Sequence, residues 1–381
     1  MTASEDSYLR LIEWWGQTWW GMPEADELLP LLKTHLSPEE ATLLTGIPFQ
    51  GRTLEQLADS KRMDPAELGP LLDALASKGL LFRTVTPETT RYSINDSLFV
   101  YMRSAFWRGG TDETTRAIAP LVNQYYYHGF FEQYNFTHQK GLRVLPIQEM
   151  IEDTRQTMPY EEVAAVLDSQ DYFAVSVCPC RHRKNLDPAF PDCEHSTEVC
   201  LHFGRLGRYT VENGLGREIT RKQAADILRR SAEEGLVHGV SSWREGVDTI
   251  CNCCRCCCLW FEAFHKLGHS MSMTPSSYRI RTTPETCRGC GLCETRCPMG
   301  ALRLEESPLA RNKNGKVSVL NPDLCIGCGV CAYKCPTKSL VLESRETVQE
   351  PPLNAREYTR QVVADFTAGW ERRAEAGQRQ K

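Results

Sequence analysis

The chain has 381 residues, 41% hydrophobic and 24% charged, with 26 glycines and 21 prolines. Those proportions exclude a mainly disordered or collagen-like chain and predict two or three domains with real cores. The formal charge of −5 leaves no global nucleic-acid footprint, and no run of 18 apolar residues offers a membrane-spanning helix.

The acidic start Met1-Thr2-Ala3-Ser4-Glu5-Asp6-Ser7 lacks the basic and apolar regions of a signal peptide, so a cytoplasmic location is expected. Trp14, Trp15, Trp19 and Trp20 follow in one short helical stretch. Acidic Glu13, Glu24, Asp26 and Glu27 surround them, which favours core packing or a subunit interface over a membrane surface.

Residues 37–104 read as a winged helix, so residues 1–104 are expected to form a Trp-rich helix plus a winged-helix-like domain. Ser37-Pro38-Glu39-Glu40 is a helix start, and Thr53 with Gln56 has capping-box spacing. Asp64-Pro65 opens a longer helix with Leu68, Leu71, Leu72 and Leu75 on one face, closed by Gly79. Leu80–Val85 and Arg91–Ile94 then form the wing hairpin. Between Pro65 and Gly79 the charged residues are Glu67, Asp73 and Lys78, with no Arg, Asn or Gln for base edges. DNA is therefore an unlikely partner, and an iron- or redox-responsive DNA-binding regulator is a minor alternative.

Residues 105–175 form an aromatic helical connector: seven of the twelve residues from Tyr125 to Phe136 are Phe or Tyr, a density that wants a core or a neighbouring domain. Residues 176–275 are Cys-rich around one helix, with Thr220 and Gln223 at its start, Ala224, Ile227, Leu228 and Ala232 on its face and Gly235 at its end. Residues 346–381 read as a helical tail. The whole is α+β and multidomain.

All 18 cysteines lie between Cys178 and Cys335. In a reducing cytoplasm that makes metal ligation, not disulfides, the expected use. Cys287-Arg288-Gly289-Cys290-Gly291-Leu292-Cys293-Glu294-Thr295-Arg296-Cys297-Pro298 is C-x2-C-x2-C-x3-C-P, and Cys325 to Pro336 repeats it. Three closely spaced thiolates can grip three irons of one cubane, while the fourth cysteine reaches the other cluster. Gly289, Gly291, Gly327 and Gly329 let the backbone close tightly around it. Two tandem copies with both prolines are hard to reconcile with zinc.

Over about 276–345 the sequence resembles the bacterial-type dicluster (2x 4Fe-4S) ferredoxin domain. The resemblance implies Cys287, Cys290, Cys293 and Cys335 on one 4Fe–4S cluster and Cys325, Cys328, Cys331 and Cys297 on the second. The connection from Met299 to Leu324 is longer than a minimal ferredoxin's, and Asn314-Gly315 between Arg311 and Val319 suggests an inserted hairpin. Eleven basic against six acidic side chains give this segment a formal +5, which anionic clusters would bring near neutral.

A second set comprises Cys178, Cys180, Cys193, Cys200, Cys251, Cys253, Cys254, Cys256, Cys257 and Cys258. Arg181, Arg183, Lys184 and Arg255 among them favour thiolates. One or two further Fe–S clusters are the main expectation. A zinc held by Cys178, Cys180, Cys193 and Cys200, and a thiol redox site, are the alternatives. His182, His195 and His202 are candidates to ligate or hydrogen-bond a cluster, although ordinary loop or core roles suit them better. His238 reads as a helix-terminus residue. C-P-C-R with C-N-C-C-x-C-C-C resembles a group of uncharacterised multi-cysteine 4Fe–4S binding proteins of anaerobic bacteria with an N-terminal winged-helix-like domain, a resemblance that names no reaction.

No dinucleotide turn of the NAD or FAD kind and no ATP phosphate loop is present. The expectation is an iron–sulfur electron-transfer protein, subunit or partner of a larger oxidoreductase, with Arg288, Arg296 and Lys334 raising cluster potentials. The alternative is a reductase with an open catalytic cluster at Cys251–Cys258.

Overall fold

Three helices open the chain: Ala3–Gly16, Leu28–His35 and Pro38–Leu44. The third starts with Ser37 and Glu40 capping each other's backbone amides. Next come β1 (Arg52–Thr53), helices Leu54–Lys61 and Pro65–Ser77, β2 (Leu81–Val85) and β3 (Thr90–Ile94). The strands form an antiparallel sheet in the order β1-β3-β2, with Leu81 opposite Ile94. Leu68, Leu72 and Leu75 are buried, but Leu71 is exposed, so the helix buries a narrower stripe than its pattern suggested. Trp15 is fully buried and donates its indole N–H to the Asn95 carbonyl at 2.8 Å. Trp14 donates to the Ile47 carbonyl at 3.0 Å.

This computed structural model describes residues 3–18, 21–130, 139–154, 157–268, 273–365 and 367. Trp19, Trp20, Phe131, Tyr134, Phe136 and the end of the expected tail, 368–381, lie outside the described residues. Helix Glu113–Tyr125 and the π-helical turn Tyr126–Phe130 bury Ile118, Val122, Tyr125, Tyr126 and Phe130 in the same core as the N-terminal helices. The described half of the aromatic stretch is thus interior packing.

The middle of the chain is a six-stranded sheet of β4 (Leu142–Leu145), β5 (Phe173–Val177), β6 (Glu198–Phe203), β7 (Arg217–Glu218), β8 (Val237–Ser241) and β9 (Thr249–Cys253). Its order is β4-β8-β9-β6-β5-β7, antiparallel at every step. Helix Arg221–Glu234 lies on it, capped by Thr220 and Gln223 and ended by Gly235 in the left-handed region. Its Ala224, Ile227 and Leu228 enter the sheet's core. Because β4 belongs to this sheet, the sheet begins within the segment that sequence assigned to a connector.

Residues 278–344 hold two small antiparallel pairs, β10 (Tyr278–Thr282) with β13 (Leu340–Ser344) and β11 (Leu302–Glu306) with β12 (Lys316–Leu320). The expected inserted hairpin exists, with a correction: Val319 pairs with Arg303, not with a residue near Arg311. Asn314-Gly315 ends a longer loop that is closed by the Ser307 amide on the Gly315 carbonyl. Asn312 and Asn314 hold that loop, through the Cys287 and Gly289 carbonyls, against the first cysteine turn. A helix over 355–365 returns to the body, burying Tyr358 and Val362 near Leu98, Trp243 and Trp260. The fold is mixed α and β, and among the described residues no helix is long and apolar enough to cross a membrane.

Candidate metal centres

Each C-x2-C-x2-C run turns through glycines with positive φ and leads into a short helix, Leu292–Arg296 or Val330–Tyr333. At Gly327 (φ 69°) a Cβ would overlap the Tyr278 carbonyl oxygen and the Ser276 hydroxyl, so the loop can lie this close to β10 only as glycine. The two runs interlock. Cys287, Cys290 and Cys293 line one crevice together with Cys335, and Cys325, Cys328 and Cys331 line a second together with Cys297.

The crevices differ in character. Hydroxyls face the first: Ser318 lies 3.2 Å from the Cys293 sulfur, and Ser339 lies 3.3 Å from the Cys335 sulfur. Cys290 is exposed there. The second is walled by Ile280, Met299, Leu302, Leu320 and Ile326, with all four cysteines buried. The Ala301 amide donates to the Cys297 sulfur at 3.2 Å. Burial pushes the Cys328 and Cys331 thiols well above the usual thiol range, so four thiolates need a compensating cation.

Of the basic residues expected beside these ligands, Arg288 lines the first crevice. Arg296 stands by Cys331 and Cys328, bridging to the Val330 carbonyl at 3.2 Å and the Ala232 carbonyl at 3.1 Å. Lys334 instead lies over the Tyr333 ring at 5.4 Å. Arg345, missed from sequence because it follows the last motif by ten residues, bonds the Cys325 carbonyl.

The other ten cysteines divide in two. Cys193, Cys254, Cys256 and Cys257 come together, all sulfurs within 4.8 Å of one another. Cys178, Cys180, Cys200, Cys251, Cys253 and Cys258, with Cys254 at the edge, line a cavity of about 490 Å³. The zinc quartet considered from sequence, Cys178, Cys180, Cys193 and Cys200, is therefore not assembled. The reason is local: the Cys193 amide donates to Asn185 Oδ1 at 3.0 Å, turning its loop toward Cys254.

The cavity lies between β9, the start of helix Pro179–Asn185, the first turn of helix Leu259–Leu267, and Tyr358 of the tail. Arg181 is fully buried in its wall. One guanidinium nitrogen donates to the Asn252 carbonyl at 3.1 Å, while Nε and Nη2 have no oxygen or nitrogen partner. Burial would lower the Arg181 pKa, but the sulfurs of Cys178, Cys254 and Cys253 hold it above the usual value. A hydrogen bond from the Cys178 thiol pulls Cys180 down to about 7, against burial. Cys251 is lowered by the Cys200 and Cys253 thiols in the same way. Sequence also grouped Arg183 and Lys184 with these sulfurs. In the structure Arg183 donates to Asn123 Oδ1 at 2.6 Å, and Lys184 pairs with Glu262.

None of the three singled-out histidines bonds a sulfur. His182 donates to the Gly110 carbonyl at 2.7 Å, His195 faces Glu234 at 3.7 Å, and buried His202 packs on Trp107. His238, expected at a helix terminus, lies instead on β8 and bonds Asn252 Oδ1 at 2.7 Å, steadying β9, the strand that carries Cys251 and Cys253.

Residues 286–339 match the family model described as a 4Fe-4S dicluster domain. No curated protein and no solved structure matches the chain. The chain carries an iron–sulfur dicluster domain, and the class of function this supports is electron transfer.

Proposed function

We propose that this protein is a multicentre iron–sulfur electron carrier serving a larger oxidoreductase. The observation that carries the reading is the interlock of the two motifs, each crevice taking three cysteines from one run and the fourth from the other. Cys287, Cys290, Cys293 and Cys335 would hold one 4Fe–4S cluster, and Cys297, Cys325, Cys328 and Cys331 the other. When bound, each cluster supplies one-electron storage at a potential set by its surroundings.

The chain's own contribution is an ordered change in burial. Cys290 is exposed, which suits the first crevice to exchange electrons with a redox partner. Cys297, Cys325, Cys328 and Cys331 are buried and share one hydrophobic core with Cys253 and Cys258 of the large cavity. Phe261, fully buried, belongs to the same core. The second crevice and the thiol-lined cavity are thus neighbours in continuous protein. The buried Arg181 guanidinium suits the cavity to an anionic group, which a thiolate-held iron–sulfur cluster is.

The cavity also favours a second reading, a reductase whose further cluster keeps an open position for substrate. About 490 Å³ is more room than the sulfurs themselves need. We read residues 37–104 as a winged helix used for packing, because Lys61 bonds the Thr45 carbonyl and Lys78 pairs with Glu40. Asn95 of that unit bonds Tyr209 at 3.2 Å.

Anaerobic reconstitution with iron and sulfide tests the proposal. The expected result is more than about eight irons per chain, eight for the dicluster domain and the remainder for the cavity, with EPR signals of reduced 4Fe–4S centres. Fewer than about eight irons in the folded protein contradicts it.

A further inference from the structure

We propose that Cys193, Cys254, Cys256 and Cys257 hold a single tetrahedral zinc ion, separate from the iron–sulfur centres, that pins the 186–197 loop over the Cys-rich turn. The Cys193–Cys256, Cys256–Cys257 and Cys193–Cys254 sulfur separations are 3.4, 3.6 and 4.0 Å, and all four sulfurs lie within 4.8 Å of one another. Four thiolates at about 2.3 Å from one zinc stand about 3.8 Å apart. Thiolates bound to four different irons at the corners of a cubane stand further apart.

The same chain supplies the contrast. Among the described residues no other three potential ligands come within 4.8 Å of one another, so neither crevice of the dicluster domain has this tight packing. Two kinds of thiol quartet are built here, one close enough to share an ion and one spread around a crevice.

The surroundings fit a closed structural site. All four positions are thiols, leaving no place for a water ligand. Cys254 and Cys257 are buried beside Leu236, while Cys256 is exposed, so the ion loads from solvent. Arg181 stands beside Cys254 and offsets the negative charge of a tetrathiolate site. Asn185 fixes Cys193 through its amide. The loop itself, 186–197, forms no helix or strand, and Ser196 bonds Glu234 at its far end. The ion would supply the central tie of a segment that regular structure does not hold. Cys254 also edges the large cavity, so the same tie fixes part of that wall.

Metal analysis of holoprotein isolated anaerobically from cells supplied with both iron and zinc tests this. About one zinc per chain is expected in the wild type, with zinc-edge X-ray absorption showing four sulfurs at about 2.3 Å. Cys256→Ser and Cys193→Ser are each expected to lose the zinc and keep the wild-type iron content. Wild-type protein without zinc overturns the proposal. So does loss of about four irons in Cys256→Ser, which would place a cubane at this quartet. Iron content and zinc content are separate readouts, so failure here leaves the dicluster assignment untouched.

Discussion

Cys297→Ser is expected to remove the cluster of the second motif although the substitution falls in the first. Cys297 lines the crevice of Cys325, Cys328 and Cys331, not that of its own three neighbours. About four irons per chain should go. The double variant Cys297→Ser/Cys325→Ser should lose no more, because both changes strike one site. Cys297→Ser/Cys287→Ser should lose about eight. Cys335→Ser is the reciprocal case, equivalent in iron content to Cys287→Ser. The two single variants should differ in stability. The second crevice is walled by buried Met299, Leu302 and Ile326, so emptying it strips a hydrophobic core, and binding energy there is folding energy. The first crevice is partly exposed at Cys290, and its loss should lower the unfolding midpoint less. Additive iron loss in Cys297→Ser/Cys325→Ser would show that the motifs do not cross over.

Glu262→Gln is expected to destabilise the fold by about 3–5 kcal/mol, because it strands a buried ammonium. Glu262 and Lys184 are each 2% exposed, and the Glu262 carboxylate also accepts from Tyr127 and, at 2.8 Å, from Lys266. Around it, Asn123 joins Arg183 at 2.6 Å and Asp187 at 2.8 Å. The network ties helix Glu113–Tyr125 to the two helices that carry Cys180 and follow Cys258. Burial raises the Glu262 carboxyl, but Lys184, Lys266 and Tyr127 more than offset this and hold it below the ordinary 4.5. Its stabilisation is therefore present above about pH 4.5 and lost as pH falls through the lowered folded value. Wild-type protein should show this acid-dependent loss of unfolding midpoint, and Glu262→Gln should lack it. Lys184→Met/Glu262→Leu should regain much of the stability, since neither charge is then left unpaired. An unchanged midpoint in the single variant would show that the pair is not buried as described.

Much of this was legible in the sequence because it is local. The capping boxes at Thr53 and Thr220, the β2–β3 hairpin and the stripe of helix Arg221–Glu234 all depend on residues within a few positions. The resemblance to a dicluster ferredoxin domain implied which cysteines would group, and each crevice is lined by one of those groups. What sequence could not supply is which distant segments meet. Cys193 lies 61 residues from Cys254, and only folding brings them to 4.0 Å. The same holds for Arg345 on the Cys325 carbonyl and for Tyr358 at the cavity wall. Leu71 failed in the opposite direction: periodicity marks a face, but the neighbouring elements decide how much of it is covered.

The most direct measurement is anomalous scattering at the iron edge from anaerobically grown crystals of the holoprotein. The account predicts iron density in both crevices of the dicluster domain, each bounded by three sulfurs of one motif and one of the other, with further iron in the cavity beside Arg181. Single zinc ions in the crevices, or crevices free of metal in a folded chain, would contradict it.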